Sequence, residues 1–197
     1  MYMQKQTFLL YGRSGSGKGT QAQMLQSFLE SQGGEVLYLE TGREFRNFIQ
    51  DKNFVSEKVR SLVNNGGFAP AFLPIWLWTD YLVRRSNNTE HFILDGLARM
   101  EHESPVLDSA LQFFDRTLVH VVFIDVSADW AFERMMGRGR SDDKPDVIRN
   151  RVSAFEHDTV AAMRYFRHRT GYVFHEINGE QTVEQVHNDI LSVCGLQ

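Results

Sequence analysis

A lysine preceded by glycines at 12, 15 and 17 and followed by Gly19 and Thr20 is an arrangement that can hold phosphate. The stretch reads GRSGSGKGTQ from Gly12 to Gln21 and fits the spelling G-x-x-x-x-G-K-[ST] except at its last position, where Gly19 precedes Thr20. Glycines allow consecutive backbone N–H groups to curl around an anion, and a helix N-terminus adds its positive end. Lys18 then serves as a mobile point charge for β- and γ-phosphates. The loop needs a strand before it and a helix after it to work this way. Both are legible. QTFLLY is a short apolar run with strand character, and Ala22, Leu25, Phe28 and Leu29 recur at helical spacing. A hydroxyl moved one residue along a helix turns by roughly 100°, so Thr20 meets a metal differently from the usual Ser or Thr.

The elements that must position this loop alternate along the chain. Strands are expected at 6–11, 35–40, 91–95, 117–126 and 172–177. Between them lie a helical block at 41–86, a helix ending near Phe114, a helix ADWAFERMMGR, a polar link GRSDDKP, one long helix over 146–169, and a closing helix TVEQVHNDILSVC. Such alternation indicates a parallel sheet covered on both faces. The fold class is α/β: a three-layer P-loop fold on a five-stranded parallel sheet. At 197 residues it is one domain. Its expected parts are a core (1–40, 87–137, 144–197), a helical insert (41–86) and a very short lid (138–143).

Composition narrows the function. Hydrophobic residues make up 42% and charged residues 23%, an ordinary balance for a soluble protein. A net charge of −4 gives no support for nucleic-acid binding, and no apolar run is long enough to span a membrane. The N-terminus runs directly into the first strand without room for a secretion signal. The single Cys194 forbids an intrachain disulfide and suits a reducing cytoplasm. Sixteen of the 21 basic residues are arginine, five of them between 134 and 151, and arginine suits bidentate phosphate contacts. The seven histidines show no metal-ligand spacing and are read as surface or supporting residues without a metal. Trp76 and Trp78 are read as packing rather than base-stacking residues.

GKGTQ at 17–21, Thr41-Gly42 followed by Arg46, FILDG with Arg99, and GRSDD followed by Arg151 occur in this order. Together they resemble the adenylate kinase family of nucleoside-monophosphate kinases, short-lid type, across essentially the whole chain. In that family the loop itself reads GKGTQ, so the displaced threonine is a family trait. The resemblance implies transfer of the γ-phosphoryl of ATP to a nucleoside monophosphate, with AMP as the leading acceptor and CMP, UMP or GMP as alternatives. It implies Mg²⁺ with ATP, no structural zinc, a cytoplasmic monomer, and no nucleic-acid or membrane partner. Gly12, Ser14, Gly15, Ser16, Gly17, Lys18, Gly19 and Thr20 would hold ATP, together with Arg134 at the donor adenine, Arg138, and Gly179 in the Asn178-Gly179-Glu180 turn. Thr41, Gly42, Arg46, Ala69, Gly96, Arg99 and Glu103 would hold the monophosphate, with Arg140 and Arg151 reaching it. Lys18, Arg99, Arg138, Arg140 and Arg151 would be catalytic, and Asp95 would orient magnesium through water. Asp142 and Asp143 match a pair that pins the lid arginines on closure.

The departures are as informative as the matches. Leu97-Ala98 replaces the family's Phe-Pro with its cis bond. Without proline a cis bond costs about 2.5–4 kcal/mol, so a trans or reshaped turn is expected before Arg99. Glu40-Thr41-Gly42-Arg43 exchanges an acid for a base at the acceptor site. Glu103 stands where the family glutamine reads adenine, four residues after Arg99. It either meets the base or, if the turn shifts the register, lies on a solvated helix face. Two other readings stay open: a P-loop kinase for a small metabolite, and a nucleotide-binding protein without catalysis.

Overall fold

The computed structural model describes residues 5–64, 69–139 and 144–197. Strands β1 (Thr7–Tyr11), β2 (Val36–Glu40), β3 (His91–Asp95), β4 (Val119–Asp125) and β5 (Tyr172–Asn178) form one sheet in the order β2-β3-β1-β4-β5. Every neighbouring pair is parallel, with Leu10 of β1 beside Asp95 of β3. The five expected strands are these, within two residues at either end. Parallel strands need helical crossovers, which supply helices to both faces.

Alternate residues of a strand face opposite sides, and β1 divides accordingly. Leu9 and Tyr11 join a core with Trp78, Leu82, Leu107 and Phe166. Phe8 and Leu10 join a second core with Leu25, Leu29 and Ile190. The residues of β1 and β3 are all buried, as expected at the centre of a sheet covered twice. Each Leu or Phe fully removed from water here stabilises the fold by about 1.5–3 kcal/mol.

Helix α1 (Lys18–Ser31) follows β1, and α2 (Thr41–Phe48), α3 (Phe54–Asn64) and α4 (Phe72–Arg85) make up the expected helical block. The block has an apolar cluster of its own, in which Phe48, Val59 and Leu73 are buried. Helix α4 belongs to both parts, since Leu73 lies in that cluster while Trp78 and Leu82 lie in the main core. Trp76 is 46% exposed and packs edge-on to Phe48, so packing accounts fully only for Trp78.

A short 3₁₀ turn (Glu101–Glu103) leads into α5 (Ser104–Phe113), and α6 (Ala128–Arg138) follows β4. The single helix expected over 146–169 is instead α7 (Pro145–Ala154), a π segment (Phe155–Thr159) and α8 (Val160–Arg167). A π turn admits an extra residue and re-aims the side chains around it. Here it sets Phe155 beneath the Arg13 guanidinium, 4.8 Å from carbon to ring centre. Helix α9 (Val183–Val193) closes the chain with a reciprocal capping box between Thr182 and Gln185.

Candidate active site

The loop after β1 ends in a helix start left open for an anion. Gly17, at φ 93°, is the N-cap of α1; it supplies no side-chain cap, and the first turn carries no acidic residue. The first N–H groups of a helix have no partner within it, so here they face the cleft uncompensated. By contrast α6 and α9 are capped by Ser127 and Thr182. Ser16 Oγ is buried without a hydrogen-bond partner in the same loop.

Lys18 crosses the mouth of this loop and donates to the carbonyls of Gly12 (2.7 Å) and Arg13 (2.8 Å). Burial pulls its ammonium down to about 8, with Asp95 and Glu40 favouring the charged form and Arg99 and Arg138 opposing it. These four groups therefore converge on one ammonium. Asp95, 5% exposed at the end of β3, stands beside Gly19: a Cβ built there would lie 3.8 Å from Asp95 Oδ2. At position 19 the loop thus carries no side chain between the backbone and this carboxylate.

Arginines on the opposite side rest on protein oxygens. Arg46 donates to Glu40 Oε1 at 2.8 Å, and Arg99 Nε donates to Gly96 O at 2.9 Å. Gly96 makes the second contact possible. Its φ is 73°, and a Cβ there would come within 2.5 Å of Arg99 Nη2. The turn before Arg99 is both trans and reshaped. Among the described residues no peptide bond is cis, and Ala98 is fully buried at φ 46°. Tyr11 Oη donates to the Ala98 carbonyl at 3.2 Å and braces that unfavourable conformation. Thr41 Oγ1, at the start of α2, is buried without a partner.

Glu103 is not on a solvated helix face. It is 3% exposed, and its Oε2 accepts the Arg99 backbone N–H at 3.0 Å. Burial raises its pKa, against the pull of the Arg99 N–H. Behind the reshaped turn Glu103 points inward, onto the wall of the cleft.

One cleft of ≈ 1440 Å³ gathers all of this. It exceeds the roughly 300–1,000 Å³ of a site for one small ligand. Its wall includes the whole loop from Gly12 to Thr20 apart from Arg13, with Asp95, and on the other side Thr41, Gly42, Arg46, Ala69, Gly96, Arg99 and Glu103. Arg134 and Arg138 of α6, Arg151 of α7, and Gly179 after β5 complete it. Arg134 lies over the Trp130 ring at 5.0 Å, and the Gly179 N–H donates to Asp125 O at 2.7 Å. Arg140, Asp142 and Asp143 lie outside the described residues, as does most of the expected lid.

Arg13 is a supporting residue that sequence reasoning missed. It donates to Val126 O at 2.7 Å, pairs with Asp125 at 3.3 Å and with Glu156, and stacks on Phe155. It ties the phosphate loop to β4 and to the π segment. Its position inside the loop spelling was the available signal, but its partners lie more than a hundred residues away. Glu40, read from the sequence only as the first residue of the altered Glu40-Thr41-Gly42-Arg43 segment, is the partner of Arg46.

The histidine reading also needs correction. His91 is buried and accepts the Gln6 N–H at 3.0 Å, while His120 is buried and stands 3.0 Å from His175.

The family profile described as Adenylate kinase matches residues 10–171. An adenylate kinase of Corynebacterium aurimucosum is 29% identical over 188 residues, 95% of this chain and 98% of that one. One from Campylobacter hominis is 30% identical over 191 residues, covering 96% and 95%. One from Mycobacterium leprae is 32% identical over 158 residues, covering 80% and 84%.

Proposed function

The chain belongs to the adenylate kinase family, and from that premise we propose that it transfers the γ-phosphoryl group of ATP to AMP, giving two ADP. The observation that carries this reading is the cleft itself. An uncapped helix start with Lys18 stands on one side, two arginines resting on replaceable protein oxygens stand on the other, and the volume suits two nucleotides.

The donor phosphates lie in the loop 12–20, where backbone N–H groups and Lys18 take up their charge. Lys18 exchanges its two carbonyl contacts for phosphate oxygens, and the negative charge restores its hold on the proton. Arg46 leaves Glu40, and Arg99 leaves Gly96 O, to grip the acceptor monophosphate; a charge-assisted bond is stronger than one to a neutral carbonyl. An oxygen of that monophosphate attacks the γ-phosphorus as the bond to the β-phosphate oxygen breaks, and ADP departs. Arg138, Arg140 and Arg151, with Lys18 and Arg99, neutralise the charge spread over the transferring group. Arg134 and the backbone around Gly179 meet the donor adenine. Thr41, Gly42, Ala69 and Gly96 wall the acceptor pocket, where Thr41 Oγ1 has a hydrogen bond to offer. Glu103 presents its second oxygen to the acceptor base.

A magnesium ion fits the residues present. Asp95 offers a buried carboxylate beside the loop, a hard oxygen donor able to hold Mg²⁺ through its waters. Bound there with ATP, the ion would screen the phosphate oxygens. The chain divides into a core, an acceptor-binding insert at 41–86 and a short lid at 138–143 that close to dry the phosphates. We read it as a cytoplasmic monomer. Among the described residues no helix is long and apolar enough to cross a membrane.

A coupled assay for ADP formation over AMP, GMP, CMP and UMP tests the reading, with Lys18→Ala as the control. Transfer to AMP should dominate, and the variant should retain its fold while losing activity by orders of magnitude. Turnover in the variant within ten-fold of the parent would remove the loop from the mechanism.

A further inference from the structure

A second cluster of reactive side chains lies on the face of the sheet covered by α1 and α9, away from the cleft. His120 is near the start of β4, and His175 of β5 stands beside Val122, two residues further along. Side chains two apart on neighbouring strands lean over the same face, and the imidazoles meet there. Nδ1 of His120 is 3.0 Å from Nε2 of His175, with ring centres 5.2 Å apart and planes inclined by 21°. Cys194, immediately after α9, completes the group. One ligand atom from each of the three residues lies within 4.8 Å of the others, and no other such cluster occurs among the described residues.

The surroundings suit a metal ion better than a plain core. An imidazole pair shares a single proton across its contact, and His120 Nε2 is buried without any hydrogen-bond partner. An ion would take the facing pair, His120 Nδ1 and His175 Nε2, and each neutral ring would then carry its proton on its other nitrogen. Phe8 stacks on His120 at 5.4 Å and fixes the ring. His120 is buried and His175 half-buried. The Cys194 thiol is buried in the same apolar core.

We propose that His120, His175 and Cys194 form a binding site for a divalent first-row transition ion of the zinc type. Two nitrogens and a sulfur are the ligand set such an ion prefers. Bond lengths of about 2.0–2.1 Å to nitrogen set tetrahedral neighbours about 3.3 Å apart, so the facing nitrogens would separate by a few tenths of an ångström while both rings turn their lone pairs to the ion. Partial exposure of His175 leaves the fourth position to water. On binding, the Cys194 S–H bond breaks, its proton passes to solvent, and the thiolate sulfur donates its electron pair to the ion. The ion pins the end of α9 to β4 and β5. None of the three residues lines the cleft, so the site is a structural clamp rather than part of the transfer chemistry.

Titration of the metal-free, full-length protein with Co²⁺, followed by Zn²⁺, tests this. We expect a thiolate-to-cobalt absorption band saturating at one equivalent, one proton released per ion, loss of the band on adding Zn²⁺, and a higher Tm with Zn²⁺ than without. Cys194→Ala should abolish the band and the Tm increase while leaving phosphoryl transfer at the parental rate. His175→Gln, at the more exposed ligand, should weaken cobalt binding at least ten-fold. Absence of a thiolate band, or a band that survives Cys194→Ala, would overturn the proposal. Cobalt bound through oxygen ligands alone would overturn it equally.

Discussion

Replacing Glu103 by glutamine changes one group on the wall of the cleft and little else. Glu103 is 3% exposed, and its Oε2 is committed to the Arg99 N–H at 3.0 Å. Among the described residues Oε1 has no hydrogen-bond partner, so on the proposed reading it is the oxygen offered to the acceptor base. Glutamine keeps the first bond through its carbonyl oxygen and turns the second position from an acceptor into an N–H donor. An ionised carboxylate can receive the amino group of adenine or cytosine, or the adjacent N–H groups of guanine, but gives nothing to the adenine ring nitrogen. One buried hydrogen bond gained for adenine, and one mismatch created for guanine, are each worth about 1–3 kcal/mol, or about 5- to 150-fold in relative kcat/KM. Glu103→Gln should therefore raise the preference for AMP over GMP by at least ten-fold, measured as the ratio of kcat/KM values at constant ATP. The pH dependence provides a second arm. Burial raises the Glu103 pKa, and the protonated acid can donate as the amide does. In the parent the preference for AMP should grow as pH falls through that raised value, whereas in the variant it should be flat. An acceptor ranking unchanged within two-fold, with Arg99 still functional, would show that Glu103 does not meet the base.

Two further outcomes follow from the buried charges. Lys18 loses its proton in the free enzyme near pH 8, chiefly because burial disfavours the ammonium. Since kcat/KM reports the free enzyme, its value for ATP should fall as pH rises above about 8; kcat should hold to higher pH, because bound phosphate restores the charge. Coincident alkaline limbs in the two profiles would count against this assignment. Asp108, 4% exposed, accepts from Tyr172 Oη at 2.7 Å and Tyr165 Oη at 3.2 Å and pairs with Arg169 at 2.5 Å. Asp108→Ala strands those donors and should cost about 2–4 kcal/mol in denaturant unfolding, with near-parental turnover. An unchanged midpoint would contradict it.

The parts of the molecule legible in the sequence are those whose cause is local. Five apolar runs become five strands because a strand covered on both faces needs continuous hydrophobicity, and Gly17-Lys18 announces its loop by spelling alone. The π segment at Phe155–Thr159 was not legible, since α and π turns accept the same residues, and its contacts with Arg13 come from a residue more than a hundred positions away. Glu103 could not be assigned to the cleft or to solvent without the backbone of Leu97-Ala98, where Ala98 takes φ 46° and Glu103 is left buried on the cleft wall. His120, His175 and Cys194 show no ligand spacing because strand pairing and the return of α9, not chain proximity, bring them together.

Helix α4 joins two apolar clusters with one rigid rod of 14 residues, about 21 Å long. Leu73 anchors its first turns among Phe48 and Val59, and Trp78 and Leu82 anchor the remainder under the sheet. Changes among residues that share no packing partners add in free energy instead of compounding. Substitutions at Phe48, Val59 and Leu73 therefore enter the stability of the whole chain separately from those in the core around α1, with which these three share no cluster. The small core of the insert can change without repacking the core that carries α1 and the loop before it.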